Sequence, residues 1–378
     1  MAVRPFTIEV PEAVLLDLQQ RLALTRWPDE IEDSGWDYGT NLNYLQQLVA
    51  YWRDGFDWRA QERLLNSFPH FKTEIDDQEI HFIHVKGKGP KPLPLLISHG
   101  WPGSFFEMYK IIGPLTDPGF YSADPLAAFD VVVPSLPGYG FSGRPRKQGM
   151  NVARIAELFK DLMTRELGYQ RFGAQGGDWG SGITLCLGQN YPEHLVGVHV
   201  NMVPLNLESS DEKPTEEEQR WREQLQVFQT EGAGYSHIQS TRPQTLAYAL
   251  NESPVGLAAW ITDKFCAWSD CHNMIEQVFT RDELLTNIMI YWVTQTIGSS
   301  IRLYYEAIHS AHVPYKVEVP TGVALFPKEI STPPQTLATR QYNIQRWTIM
   351  KAGGHFAAME QPAALVHEIR AFFKRLRP

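Results

Sequence analysis

Gly176-Gly177-Asp178-Trp179-Gly180 is the stretch on which the reading of this chain turns. Small residues flank one functional side chain, the pattern of a sharp strand-to-helix turn that lifts its central residue into a site. The glycines let neighbouring backbone come close. The apex residue is an aspartate, not a serine. A carboxylate is ionised at neutral pH and needs no base for its first attack. It suits displacement at an sp3 carbon, which leaves an ester on the protein. Two chemistries fit: opening an epoxide, and displacing a halide from carbon.

Outward from this turn the pattern is one of buried strands alternating with helices. Arg171 to Gly177 feeds the turn; Leu93 to Ser98, Asp130 to Pro134 and Leu195 to Val203 are further apolar runs, and Ile80 to Val85 alternates. Val152 to Leu167 has helical periodicity and is closed by Gly168. Such alternation predicts a mostly parallel sheet in an α/β fold. Residues 204–312 interrupt it with helices that begin in the acidic run SSDEKPTEEEQRW; residues 211–218 of that run read as a solvated helix start. An all-helical insertion between strands predicts a cap over the site. The sheet resumes at Thr321 to Phe326 and Arg346 to Met350, and a helix from Ala363 to Leu376 closes the chain. Residues 1–88 show helical faces, with Val14, Leu15, Leu18, Leu22 and Leu24 on one and Tyr44 to Trp52 forming another. The expected organisation is therefore an N-terminal helical extension packed on the outside (1–88), a core (89–203 and 313–378) and a helical cap (204–312).

A triad on such a fold follows the order nucleophile, acid, base. His355 lies in Lys351-Ala352-Gly353-Gly354-His355-Phe356, directly after the strand RWTIM, where α/β folds place function. It is the candidate base that activates water against the ester. Glu329, just past the preceding strand in LFPKE, is the candidate acid that orients the imidazole; Glu318 is the weaker rival, because it precedes its strand. The loop His99-Gly100-Trp101-Pro102-Gly103-Ser104 is the candidate oxyanion hole, with backbone N–H groups from Trp101 and from Trp179, the residue after the nucleophile. Opening an epoxide also needs a donor for the departing oxygen, and a tyrosine phenol can serve. With 15 tyrosines, composition does not choose one.

Composition excludes other classes. Net charge is −9 over 378 residues with no basic run, which argues against a nucleic-acid partner. No segment approaches the 18 apolar residues of a membrane span, and the charged N-terminus lacks the apolar core of a signal peptide. Three cysteines without a CxxC motif fit a reducing compartment, so a cytoplasmic protein is expected. Cys266, Cys271 and His272 cluster loosely but lack zinc spacing, and no metal or other cofactor is expected.

HGWPGS at 99–104, GGDWGS at 176–181, SPVGLAAW at 253–260, FPKE at 326–329 and GGHFAAME at 353–360 together resemble the epoxide hydrolases related to the microsomal enzyme, on the α/β-hydrolase fold. PFTIEVPEAVLLDLQQRLALTRWPDE is similar to that group's N-terminal domain, and the resemblance spans essentially the whole chain. It implies that Asp178 is the nucleophile, His355 the base and Glu329 the acid, with a small-molecule epoxide as partner. It also implies two cap tyrosines that bind and protonate the epoxide oxygen. Segments like GYxHIQ and SSxRxY place these at Tyr235 and Tyr304, with Tyr305 one residue away as the alternative. Microsomal relatives carry an N-terminal membrane anchor, whereas this chain starts almost at the domain itself, so a member resembling the soluble bacterial and fungal ones, without a membrane partner, is expected. A homodimer fits a cap with exposed apolar helices. The rival readings are a haloalkane dehalogenase, whose halide donors Trp101 and Trp179 would supply, a serine esterase, disfavoured by Asp178, and a non-catalytic protein of the same fold.

Overall fold

The computed structural model describes residues 3–205, 213–310 and 316–377. Its spine is one nine-stranded sheet. The strands are β1 (Arg4–Phe6), β2 (His70–Ile75), β3 (Gln78–Val85), β4 (Leu93–Ser98), β5 (Phe129–Pro134), β6 (Phe172–Gly176), β7 (Leu195–Val200), β8 (Val317–Leu325) and β9 (Tyr342–Ile349). Their spatial order is β1-β2-β3-β5-β4-β6-β7-β8-β9. The first four in this order pair antiparallel, and β5-β4-β6-β7-β8-β9 are parallel throughout. Every residue of β5 and of β6 is buried, the signature of parallel strands covered on both faces.

Two neighbouring residues of β7 report these two faces, because successive strand residues point to opposite sides. A Cβ on Gly197 would meet Leu376 and Phe372 from the C-terminal segment, whereas the Val198 side chain meets Gly188 of the helix Trp179–Asn190. The helix Pro362–Phe373 thus covers one face and the helix that follows Asp178 covers the other. β6 lies centrally, so the turn at its carboxyl end opens above the middle of the sheet, where α/β folds bind ligands.

Between β7 and β8 the described residues form helices at Glu216–Val227, Gly234–Thr241, Pro243–Glu252, Pro254–Ala267, Arg281–Thr294 and Ile297–Ile308. This is the helical insertion read from the sequence. Two details differ. Asp211 and Glu212 of the acidic run lie outside the described residues. Glu218, expected in solvent, is buried: it closes a capping box with Thr215 and pairs with Arg340 at 3.1 Å. Capping and an ion pair outweigh the pull of water on this one carboxylate.

The N-terminal part also differs from the expected outer helical extension. Its helices, Glu12–Ala23, Leu42–Asp54 and Trp58–Leu65, pack against the insertion. Thr40 donates to the Ala259 carbonyl at 2.7 Å, and the Tyr51 hydroxyl donates to Asp282 at 2.8 Å. Its strands β1, β2 and β3 extend the main sheet. β1 is three residues long and largely exposed, and β2 (HFKTEI) carries few apolar residues, so neither has the alternation that marks a strand. No helix among the described residues is long and apolar enough to cross a membrane.

The turn after β6 depends on absent side chains. A Cβ on Gly180 would lie 2.0 Å from the Ser98 carbonyl oxygen, and one on Gly176 would lie 2.1 Å from the Gly180 oxygen. Gly180→Ala should therefore destabilise the fold by about 3 kcal/mol or more in denaturant titration, the upper range for overpacking. Gly234→Ala, which meets nothing within 4 Å, should stay within about 0.5 kcal/mol of the parent.

Candidate active site

Asp178 has φ 49° and ψ −129°, a backbone conformation that side-chain-bearing residues rarely adopt. Such strain costs on the order of 1–3 kcal/mol and persists only where surrounding packing imposes it. The residue precedes the first turn of Trp179–Asn190, so its carboxylate sits at the positive end of a helix. The backbone N–H of Trp101 donates to Asp178 Oδ1 at 2.7 Å. Gly100 permits this approach, since a Cβ there would fall 2.0 Å from the same oxygen. Trp179 opens the helix beside the carboxylate. Among the described residues its amide makes no hydrogen bond to Asp178, so of the two expected oxyanion donors only Trp101 already touches the group.

His355 and Glu329 converge on Asp178 from the loops after β9 and β8. His355 Nδ1 lies 2.6 Å from Glu329 Oε1, and Nε2 lies 3.4 Å from Asp178 Oδ2. Both His355 and Glu329 are buried. The paired glycines before His355 have distinct reasons. Gly353 has φ 100°, and a Cβ on Gly354 would sit 2.4 Å from the Trp268 carbonyl. That carbonyl accepts the His355 N–H at 2.8 Å, and Asp270 accepts the Gly353 N–H at 3.0 Å. Glu318 is exposed on β8 and takes no part.

The charge balance here is tight. Burial pulls the His355 imidazole toward neutrality, but the charges of Glu329 and Asp178 and their hydrogen bonds outweigh it, so its pKa stands well above the ordinary value. The imidazolium is thus the resting form.

The insertion brings Tyr235 and Tyr304 to the same place. The Tyr235 ring stacks on Trp101 with centroids 5.4 Å apart, and the Tyr304 ring meets Trp179 edge-on at 4.8 Å. The two phenol rings lie 5.8 Å apart. Burial first, then nearby charge that includes Asp178, raises the pKa of both phenols, so each keeps its proton. Tyr305 turns away and stacks on His309 at 3.9 Å. One residue on a helix is a rotation of about 100°, which separates these neighbours onto different faces.

Several residues at the site carried little sequence signal. Trp268 packs edge-on to His355 at 5.1 Å as well as holding its backbone, but nothing in its local sequence separates it from the other tryptophans. Glu360 braces the His355 loop by accepting the N–H groups of Phe356 and Asp270. Glu107 and Gln175 are buried beside Asp178. Glu107 had one available signal, a lone carboxylate in the apolar run FFEMYKII.

The chain is similar to known proteins over nearly its whole length. The family described as "Epoxide hydrolase N terminus" matches residues 3–108, and "alpha/beta hydrolase fold" matches residues 94–236. Epoxide hydrolase 1 of Sus scrofa is 42% identical over 98% of this chain and 88% of its own length. The crystal structure of juvenile hormone epoxide hydrolase from the silkworm Bombyx mori superposes with a TM-score of 0.87 at 32% identity, covering 100% of this chain and 94% of that one. The Aspergillus niger epoxide hydrolase structure gives a TM-score of 0.87 at 30% identity, covering 100% of this chain and 97% of that one. Similarity of this extent, in sequence and in backbone alike, assigns the chain to the epoxide hydrolase family, built on the α/β-hydrolase fold.

Proposed function

We propose that the protein adds water to a small-molecule epoxide to give a vicinal diol, through an ester on Asp178. The observation that carries this reading is the relay Glu329–His355–Asp178, with 2.6 Å and 3.4 Å contacts, faced by two protonated phenols. In this reading residues 204–312 act as the cap that delivers the phenols, and residues 1–88 brace it.

The Trp101 amide holds Asp178 Oδ1, which leaves Oδ2 as the attacking oxygen. Oδ2 forms a bond to a ring carbon while the C–O bond of the epoxide breaks. Tyr235 and Tyr304 donate to the departing oxygen, an alkoxide more basic than a phenolate. Alkylation removes the negative charge of Asp178. With it go two of the influences that hold the His355 pKa up, so the imidazolium gives up its proton, which restores the phenol that protonated the alkoxide, and becomes a base. Water then attacks Asp178 Cγ, losing a proton to His355 Nε2, and the carbonyl pair moves onto Oδ1 against the Trp101 amide, with the Trp179 amide as second donor. Collapse breaks Cγ–Oδ2, and the diol departs with a proton from His355. Asp178 keeps the oxygen of the water and passes its remaining proton to His355, which restores the carboxylate and the imidazolium. These steps call for no metal or organic cofactor. Trp101, Trp268, Tyr235 and Tyr304 give the site an aromatic wall suited to apolar substituents.

Halide displacement is the competing reading, because the indole N–H groups of Trp101 and Trp179 are buried without partners. Intact mass separates the two. His355→Gln incubated with a panel of epoxides and haloalkanes should gain the mass of a whole epoxide, and Asp178→Ala should gain nothing. A gain equal to an alkyl group without its halide overturns the proposal. One turnover of the parent in water labelled with heavy oxygen should place the label in Asp178 and not in the diol.

Tyr304→Phe should slow alkylation on the order of 100-fold and ester hydrolysis far less, as expected for lost acid catalysis at the first step. Rapid-quench kinetics read both steps, and the reverse order removes Tyr304 from that role. The pH dependence has a definite sign. A raised His355 pKa keeps the ring charged until pH rises through it, so Asp178→Asn should lower that pKa toward the ordinary value in a ring NMR titration. An unchanged pKa would mean that Asp178 does not control the base.

A further inference from the structure

Beside Asp178 and His355 lies a small cavity of about 10 Å³, the lower limit for one water. Glu107, Gln175, Asn201, Asp178 and His355 line it. The relay described above uses only the last two. Glu107 and Gln175 are buried at 9% and 1% exposure.

Each shows a separate sign of purpose. Gln175 donates through Nε2 to Asn201 Oδ1 at 2.9 Å, which fixes its amide, yet its Oε1 is buried without a hydrogen-bond partner. An orphaned buried acceptor is costly, and ordered water is the usual remedy. Glu107 reaches the cavity across the backbone of the HGWPG loop, where a Cβ on Gly103 would lie 1.6 Å from Glu107 Oε1. The loop that carries the Trp101 amide therefore leaves space for this carboxyl. Burial, with added repulsion from Asp178 and Glu329, pushes the Glu107 pKa up to about 8 against the opposing pull of His355 and the Ser104 N–H. At neutral pH the group is mostly a neutral acid that can donate a hydrogen bond.

We propose that Glu107 and Gln175 are positioning residues that hold the hydrolytic water against the Asp178 ester. The inference rests on the ester mechanism proposed above. A water in this cavity has two hydrogens and two lone pairs to place. One hydrogen goes to neutral His355 Nε2 and the other to Gln175 Oε1. The Glu107 hydroxyl donates to one lone pair, and the other points at Asp178 Cγ. Glu107 keeps its own proton throughout; the proton that moves passes from water to His355.

The test separates the two half-reactions with styrene oxide as the probe, by rapid quench and intact mass. Glu107→Leu should alkylate within about threefold of the parent but hydrolyse its ester on the order of 100-fold more slowly, the scale of a misplaced reactant, so the ester accumulates. Glu107→Gln, which retains a donor at that position, should recover most of the hydrolysis rate. Gln175→Met should show the same split, and it carries the test if Glu107→Leu does not fold. Hydrolysis at the parent rate in the folded variants overturns the proposal, as does an equal loss of both steps. Failure of the underlying mechanism has a different signature: His355→Gln would then accumulate no ester with any epoxide.

Discussion

The structure depends on one strained residue held by close backbone packing. Asp178 takes a positive φ at the point where the central strand β6 becomes a helix. Three glycines let the chain cross itself there: Gly176 against Gly180, Gly180 against Ser98, and Gly100 against Asp178 itself. The strain of about 1–3 kcal/mol is small beside what the buried central strands of the sheet supply. It is offset by the sheet and expressed at the site, where it presents a carboxylate to the loops after β4, β8 and β9. A side chain at any of the three glycine positions would disturb the approach that places the Trp101 amide on Oδ1.

The insertion does more than deliver tyrosines. Asn287 on the helix Arg281–Thr294 donates to the Pro102 carbonyl at 2.8 Å and accepts from the Ser104 hydroxyl at 2.9 Å. From the same helix, the Tyr291 hydroxyl donates to the Gly103 carbonyl at 2.6 Å. These buried bonds hold the loop whose Trp101 amide meets Asp178. The N-terminal helices in turn clamp the insertion through Thr40, Arg21 and Tyr51. A chain of contacts therefore runs from the N-terminal segment through the insertion to the Trp101 amide. In the proposed mechanism these bonds preorganise that amide as a donor, which would otherwise have to be ordered during the reaction.

What was legible in the sequence follows from where each residue's reason lies. Asp178 and His355 stand among glycines whose conformational demands are local, so short motifs disclose them. Glu329 follows from chain order and from the strand it succeeds. Tyr304 against Tyr305 is a matter of helix rotation, which depends on packing with β-sheet loops far along the chain. β1 escaped notice because its pairing with β2 bridges residues 4–6 to 70–72, and a three-residue strand has no period to read. Glu218 reads as a solvent-facing charge until Arg340, distant in sequence, is brought beside it. Glu107 and Gln175 gain their meaning only from a cavity that several loops enclose.

The half-buried carboxylate of Asp178 and the buried carboxyl groups of Glu329 and Glu107 share one imidazole. If Asp178, Glu329 and Glu107 were all ionised around a single imidazolium, the pocket would hold two uncompensated negative charges out of water, a costly arrangement. A neutral Glu107, the mostly protonated form given by its pKa of about 8, removes one of them. In the proposed cycle, alkylation then neutralises Asp178, and loss of the His355 proton leaves Glu329 as the one remaining charge among these groups. The proposed net charge is therefore the same before attack and at the moment of hydrolysis. A site that repeats one charge state at both chemical steps needs no large rearrangement of its surroundings between them. This agrees with the hydrogen-bonded loops that build it, and it gives the Glu107 carboxyl an electrostatic reason to stay protonated beside Asp178.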